Sequence, residues 1–296
     1  MISRSTWLHL RFPFSYFLLP VFLFSLAISP NFNQSRLFWV FFILHFLLYP
    51  ASNGYNSYFD KDEKSIGGLK NPPPVQKELY YISIALDVIA IAMGILIINT
   101  TFSIMLLLYG LVSKAYSHPS IRLKKYPVIS WLTAGFFQGF FTLLMSYAGI
   151  NGFSIGSCLN SRVILAGLLA SGMLLANYPM TQVYQHDEDS KRGDFTISLM
   201  LGIRGTFFFV AVIFAFVTIG FFFYLKHFFS DFYGLVFLSA LFPVLVYFLI
   251  WFSTVYKDEI KADYVHTMRL NFISATCLNF YFIFLFLHYT HILQAL

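Results

Sequence analysis

The chain predicts an all-α integral membrane protein, nine transmembrane helices in one bundle, and three observations carry that expectation: composition, long apolar segments and the placement of cations. Of 296 residues, 58% are hydrophobic and 11% charged, whereas soluble domains carry roughly a quarter charged residues. A soluble enzyme is excluded, as are a disordered chain, collagen and a coiled coil. A bilayer core takes about 20 predominantly apolar residues per helix. Nine segments qualify, at 13–30, 37–58, 79–99, 101–117, 128–149, 163–186, 205–225, 232–253 and 271–293. The first follows Arg4 and Arg11 and contains a cleavage-like Ser25-Leu26-Ala27, yet it is taken as a retained helix. The net charge of +6 belongs to loops and not to a nucleic-acid-binding face.

The cations test these spans independently, because cytoplasmic loops collect Lys and Arg. Arg4 and Arg11 precede the first span, Lys61, Lys64, Lys70 and Lys77 follow the second, and Lys114, Arg122, Lys124 and Lys125 end or follow the fourth. Lys191, Arg192 and Arg204 follow the sixth, and Lys257, Lys261 and Arg269 the eighth. Only Arg36, Arg162 and Lys226 fall on the other side, so the N-terminus is expected in the cytoplasm and the C-terminus opposite. Cys158 and Cys277 have no metal-ligand spacing and are expected to be packing residues.

An internal repeat points to a site. Residues 49–60 read Y-P-A-S-N-G-Y-N-S-Y-F-D and residues 178–189 read Y-P-M-T-Q-V-Y-Q-H-D-E-D. The match pairs Tyr49 with Tyr178, Pro50 with Pro179, Asn53 with Gln182, Tyr55 with Tyr184, Asn56 with Gln185 and Asp60 with Asp189. Four spans separate the copies, so both end on the cytoplasmic side. The chain is thus expected to be a single domain, 1–296, with parallel four-helix halves at about 13–125 and 128–270 plus a last helix, 271–293. Interfacial anchoring also gathers Tyr, Pro and amides at helix ends; against it, amides and acids at membrane depth usually face a cavity. At about 100° per residue, Asn53, Asn56, Asp60 and Glu63 share one helix face, and Gln182, Gln185 and Asp189 share another.

Asp60, Asp62 and Glu63 at one copy and Asp187, Glu188 and Asp189 at the other are interleaved with Lys61, Lys64, Lys70, Lys191 and Arg192. Oxygen ligands suit a hard cation such as Mg²⁺, which typically bridges a few carboxylates to a phosphate. Acid and base together suggest a metal–diphosphate complex.

At these residues the chain resembles the UbiA superfamily of intramembrane prenyltransferases. Asn56 and Asp60 match the family's N-x-x-x-D-x-x-x-D, with Lys64 in the third position; Asp189 and Gly193 match D-x-x-x-D-x-x-x-G, with Gln185 in the first, and Thr196 fits the threonine that commonly follows. Lys114, Tyr116, Ser117, Pro119, Leu123 and Lys124 resemble the family's K-x-Y-S-x-P-x-x-x-L-K segment. The topology is shared over nearly the whole chain, the motifs over about forty residues. Lys64 and Gln185 each remove a carboxylate. From Asn56, Glu63 lies roughly 340° around a helix and is the expected substitute for the first loss; Asp187 replaces the second only if the helix unwinds.

The resemblance implies Mg²⁺ held by Asp60, Asp62 or Glu63, Asp187 and Asp189, with Asn56 and Gln185 assisting. It implies a prenyl diphosphate donor, with Lys114, Arg122 and Lys70 on its phosphates. The catalytic residues are then Asp60, Asp189 and Lys114, with Tyr55 and Tyr184 beside the donor. The acceptor is hydrophobic or aromatic, in quinone or related isoprenoid-lipid biosynthesis, and the site faces the cytoplasmic rim. His45, Asp87 and Asn177 are further polar residues in apolar spans, with interhelical hydrogen bonding as the plainer reading. The competing classes are a secondary transporter, which would place charges near the midplane, and a non-catalytic family member. No HExxH or GxxxxGK[ST] signature is present.

Overall fold

In a computed structural model, which describes residues 2–290, the chain is helical, and among the described residues the only β pairing is an isolated bridge between Ile66 and Leu69. Helix α1 (Arg4–Leu10) leads through a 3-10 turn (Phe12–Phe17) into α2 (Leu19–Ala27). There follow α3 (Gln34–Asp60), α4 (Glu78–Ile98), α5 (Thr100–Ser117), α6 (Pro127–Asn151), α7 (Ser161–Thr181), α8 (His186–Arg192), α9 (Ile197–Phe228), α10 (Asp231–Lys257) and α11 (Tyr264–Tyr289).

Seven of the expected spans overlap one of these helices; span 13–30 is divided between the 3-10 turn and α2, span 163–186 runs past α7 into the turn at 182–185, and 291–293 lie outside the described residues. Among the described residues seven helices, α3, α4, α6, α7, α9, α10 and α11, are long and apolar enough to cross a bilayer, and Arg4–Phe17 with Leu19–Ala27, bent by 41°, would make an eighth if the pair is one span. Helix α5, of 18 residues, occupies the fourth expected span but is not among them. The last helix starts earlier than hydropathy suggests because Asp263 caps it, accepting from the His266 N–H.

The second half of α6, Thr142–Asn151, is buried on every side, the expected fate of a helix without a polar face. Helices α2, α3, α5 and α7 pack around it, while α7, α9, α10 and α11 pack in succession and α11 returns to α2. Several helices are locally irregular for identifiable reasons. In α3, Pro50 follows a π turn at Ile43–Leu48; the wider turn relieves the clash of a proline ring with the preceding carbonyls. Helix α9 is kinked at Gly202, which has φ 70°.

Helices α6 and α7 meet backbone to backbone. A Cβ at Gly139 would lie 2.4 Å from Ser171 Cα and 2.5 Å from its N. Ser171 Oγ uses this proximity, donating to the Gly135 carbonyl at 2.9 Å and accepting from the Phe140 N–H at 2.9 Å. Gly139→Val should therefore destabilise by about 2 kcal/mol or more, since overpacking against backbone cannot relax by rotamer change. Thermal unfolding of the detergent-solubilised protein should show a lower midpoint, while Gly156→Ala, whose Cβ meets nothing within 4 Å, should melt like the wild type.

Candidate active site

The end of α3 supplies the first wall of a polar cavity of about 260 Å³. Asn53, Asn56 and Asp60 all line it, as their shared helix face requires. Asn56 Nδ2 donates to Ser117 Oγ on α5 at 3.0 Å, and Ser52 Oγ pairs with Ser113 Oγ at 2.6 Å. The helix stops at Asp60, because Lys61 turns left-handed at φ 50° and its N–H bonds back to the Ser57 carbonyl. The 100° spacing therefore ceases to apply beyond Asp60. Asp62 turns inward, with its side chain 6% exposed, and lines the cavity. Glu63 is exposed and outside it, so the expected substitution of Glu63 for the missing acid is not supported.

The second copy is not a continuous helix. Pro179 lies in a 3-10 turn, Tyr178–Thr181, the chain turns through Gln182–Gln185, and α8 begins at His186. The turn still brings Gln182, Tyr184, Gln185 and Asp189 into the same cavity. Asp187 is turned outward and exposed, ion-paired with Lys64 at 2.9 Å. The expected replacement of the lost acid by Asp187 is therefore also corrected: one departure from the motif, Lys64, takes Asp187 into a surface ion pair, while the other, Gln185, lines the cavity. Asp194 was not anticipated. Gly193, at φ 73°, reverses the chain so that the Asp194 N–H bonds to the Asp189 carbonyl at 2.9 Å, and the Asp194 side chain is buried on the cavity wall. An acid directly after a helix-stopping glycine was the available sequence signal.

The carboxylates are held by cations. Lys124 pairs with Asp60, and Arg122 grips Asp194 through Nε at 2.7 Å and Nη2 at 2.9 Å. Arg192 pairs with Asp62, with Asp189 at 2.6 Å and with Asp194 at 3.3 Å. Burial alone would raise the Asp194 carboxyl, but Arg122, Lys124 and Arg192 outweigh it and hold it below the usual range. Asp189 goes the other way. Burial pushes it up to about 7; Lys124 opposes this, while the charges of Asp194, Asp60 and Glu188 add to it. Arg11, also buried, lines the cavity, donating to the Gly67 carbonyl at 3.0 Å and the Asn53 carbonyl at 3.3 Å while its Nε has no partner. In the sequence Arg11 counts only among the cations that orient the chain.

Four further expected residues do not line the cavity: Arg122, which meets it through Asp194, and Lys114, Tyr55 and Lys70. Lys114 is ion-paired with Asp87 across α4 and α5 and sits 4.9 Å over the Tyr55 ring; neither Lys114 nor Tyr55 lines the cavity. Lys70 is exposed on the loop between α3 and α4. Asp87 thus has an interhelical partner, and His45 is buried among Phe41, Phe22 and Tyr49, away from the cavity.

Among the described residues, no three acids, histidines or cysteines are placed so as to hold a metal ion. The donor chemistry nevertheless fits a hard one: Asp60, Asp62, Asp189, Asp194, Asn56 and Gln185 present only oxygen-bearing groups to one cavity. Mg²⁺ usually takes one or two carboxylates and fills its remaining positions with water and phosphate.

The chain belongs to the UbiA prenyltransferase family, which matches residues 17–273. No curated protein matches by sequence. Among solved structures, a UbiA homolog from Archaeoglobus fulgidus bound to GPP and Mg²⁺ shares 20% identity at a TM-score of 0.66, covering 95% of this chain and 99% of that one. The same homolog bound to DMAPP and Mg²⁺ shares 20% at 0.62, over 96% and 99%. A structure of digeranylgeranylglyceryl phosphate synthase shares 18% at 0.60, over 95% and 98%. The fold is common to all of them.

With the Asp189 carboxyl near 7, protons compete with any cation at that oxygen. Mg²⁺ affinity, measured by calorimetry in the presence of a diphosphate, should rise about tenfold from pH 6 to pH 8. Asp189→Asn should flatten this dependence.

Proposed function

We propose that the chain is an intramembrane prenyltransferase, moving a polyprenyl group from a prenyl diphosphate to a hydrophobic or aromatic acceptor in quinone or related isoprenoid-lipid synthesis. The cavity where both motif copies meet a cluster of cations carries this reading. Family membership supports it, as do the GPP and Mg²⁺ held by the similar archaeal structure. The excess of Lys and Arg on the motif-bearing loops supports a site on the cytoplasmic side.

Asp60, Asp62, Asp189 and Asp194, with Asn56 and Gln185, would hold Mg²⁺, which when bound neutralises charge growing on the leaving diphosphate. Lys124 and Arg192, now on carboxylates, exchange them for phosphate oxygens as donor and cation arrive together. Arg11 offers its unpartnered Nε from the α1 side. Arg122 keeps Asp194 oriented and so acts as a positioning residue. The membrane-ward wall is built from Tyr109, Val112, Ala134 and Phe137 of α5 and α6. There the allylic chain is kept from water, and ring faces can stabilise positive charge at its reacting carbon. Lys114 and Asp87 neutralise one another at membrane depth and set the spacing of α4 and α5 instead of touching phosphate.

Titration calorimetry of the purified protein with geranylgeranyl diphosphate, with Mg²⁺ or with EDTA, tests this reading. Binding should require Mg²⁺, and Asp60→Ala and Asp189→Ala should each weaken it about 100-fold or more, since each removes a carboxylate proposed to hold the cation. Asp187→Ala, at an exposed ion pair, should stay within about threefold. A folded sample that binds no donor of any chain length in Mg²⁺ would overturn the proposal and favour a non-catalytic family member.

A further inference from the structure

A second chamber, of about 370 Å³, lies among α2, α7, α9, α10 and α11 and plays no part in the site above. Its walls are mostly aliphatic, including Val21, Met173, Val244 and Leu270, and among the described residues no charged side chain lines it. From Leu270 to Leu278 it follows α11 for about 12 Å, at 1.5 Å per residue.

The chamber adjoins the polar cavity at one end. The 3-10 turn ahead of α2 contributes Phe14 to the cavity and Phe17 to the chamber, and α7 contributes Asn177 to the chamber and Tyr178 to the cavity. Thr267, one turn before Asn271, lies against the Met180 carbonyl at 3.4 Å, and the neighbouring Thr181 and Gln182 line the cavity. Asn271 therefore marks the end of the chamber nearest the donor. It is 3% exposed, and its side-chain oxygen has no hydrogen-bond partner. An unsatisfied buried carbonyl oxygen is costly, more so within a membrane.

The other side of the chamber reaches lipid. Ile219 of α9 and Leu245 and Leu249 of α10 line it while remaining 54%, 42% and 52% exposed. The chamber is thus bounded on that side by residues that face outward, away from the polar rim.

We infer that this chamber takes the acceptor, an uncharged lipid alcohol whose hydroxyl donates to Asn271 Oδ1, and this assignment rests on the prenyltransferase reading. A carboxylate or phosphate would find no counter-charge there. A hydroxyl supplies the missing donor and faces the reacting carbon of a prenyl diphosphate lying along α5 and α6. The C1–O bond to diphosphate breaks with its electron pair leaving on the diphosphate. The hydroxyl oxygen bonds to C1, and its proton departs with the diphosphate.

The test is equilibrium binding of tritiated geranylgeraniol to the full-length protein in nanodiscs, against empty nanodiscs. Saturable binding is expected, with the corresponding carboxylic acid competing at least about tenfold less well than the unlabelled alcohol. Asn271→Leu should weaken alcohol binding about tenfold, and Leu249→Trp, filling the lipid-side mouth, should abolish it. Mg²⁺-dependent binding of geranylgeranyl diphosphate should change less than about threefold in either variant, which also reports folding. Unchanged alcohol affinity in both variants, or equal competition by the acid, would overturn the assignment. Alcohol binding in a wild type that binds no diphosphate would overturn the donor reading alone.

Discussion

Compensation of buried acids by Lys124, Arg122 and Arg192 is the constraint around which the motif-bearing rim is built. Asp60, Asp62, Asp189 and Asp194 have side chains between 2% and 7% exposed. Ionised carboxylates at such depth are tolerated only when paired and hydrogen-bonded. Arg192 serves three of them at once, which ties the end of α3 to α8 and to the turn after it. In the proposed function the same compensation makes the site receptive: a divalent cation would take over the carboxylates while the displaced side chains would turn to phosphate.

One departure from the family motif, Lys64, becomes intelligible on this basis. Lys64 and Asp187 face each other outside the cavity and tie the two motif loops together at the surface. Asp62 and Asp194, outside the expected motif positions, contribute carboxylates inside it. The acid content of the cavity is maintained by different residues, each turned inward by a left-handed position nearby, at Lys61 or Gly193.

Polar chemistry and apolar space occupy different parts of the bundle. The cavity joins α3, α5, α6 and the turn after α7, whereas the chamber joins α2, α7, α9, α10 and α11. Helix α7 serves both, because its regular geometry ends at Asn177 and the following turn redirects the chain. The fully buried end of α6 closes the bundle away from the polar rim.

Composition and hydropathy by themselves determined the all-helical membrane class, the approximate spans and the location of both polar clusters, because the cost of exposing polar groups to hydrocarbon acts on every residue alike. The shared face of Asn53, Asn56 and Asp60 was legible too, since α3 is regular there. What only the tertiary structure decided begins where regular helix stops. Periodicity carries no direction past Lys61 or through Gln182–Gln185, so Asp62 rather than Glu63, and Asp194 rather than Asp187, entered the cavity. The partners of Lys114 and Arg122 were hidden for a related reason: a charge in sequence has no address until packing sets another beside it, and for these two the nearest were Asp87 and Asp194.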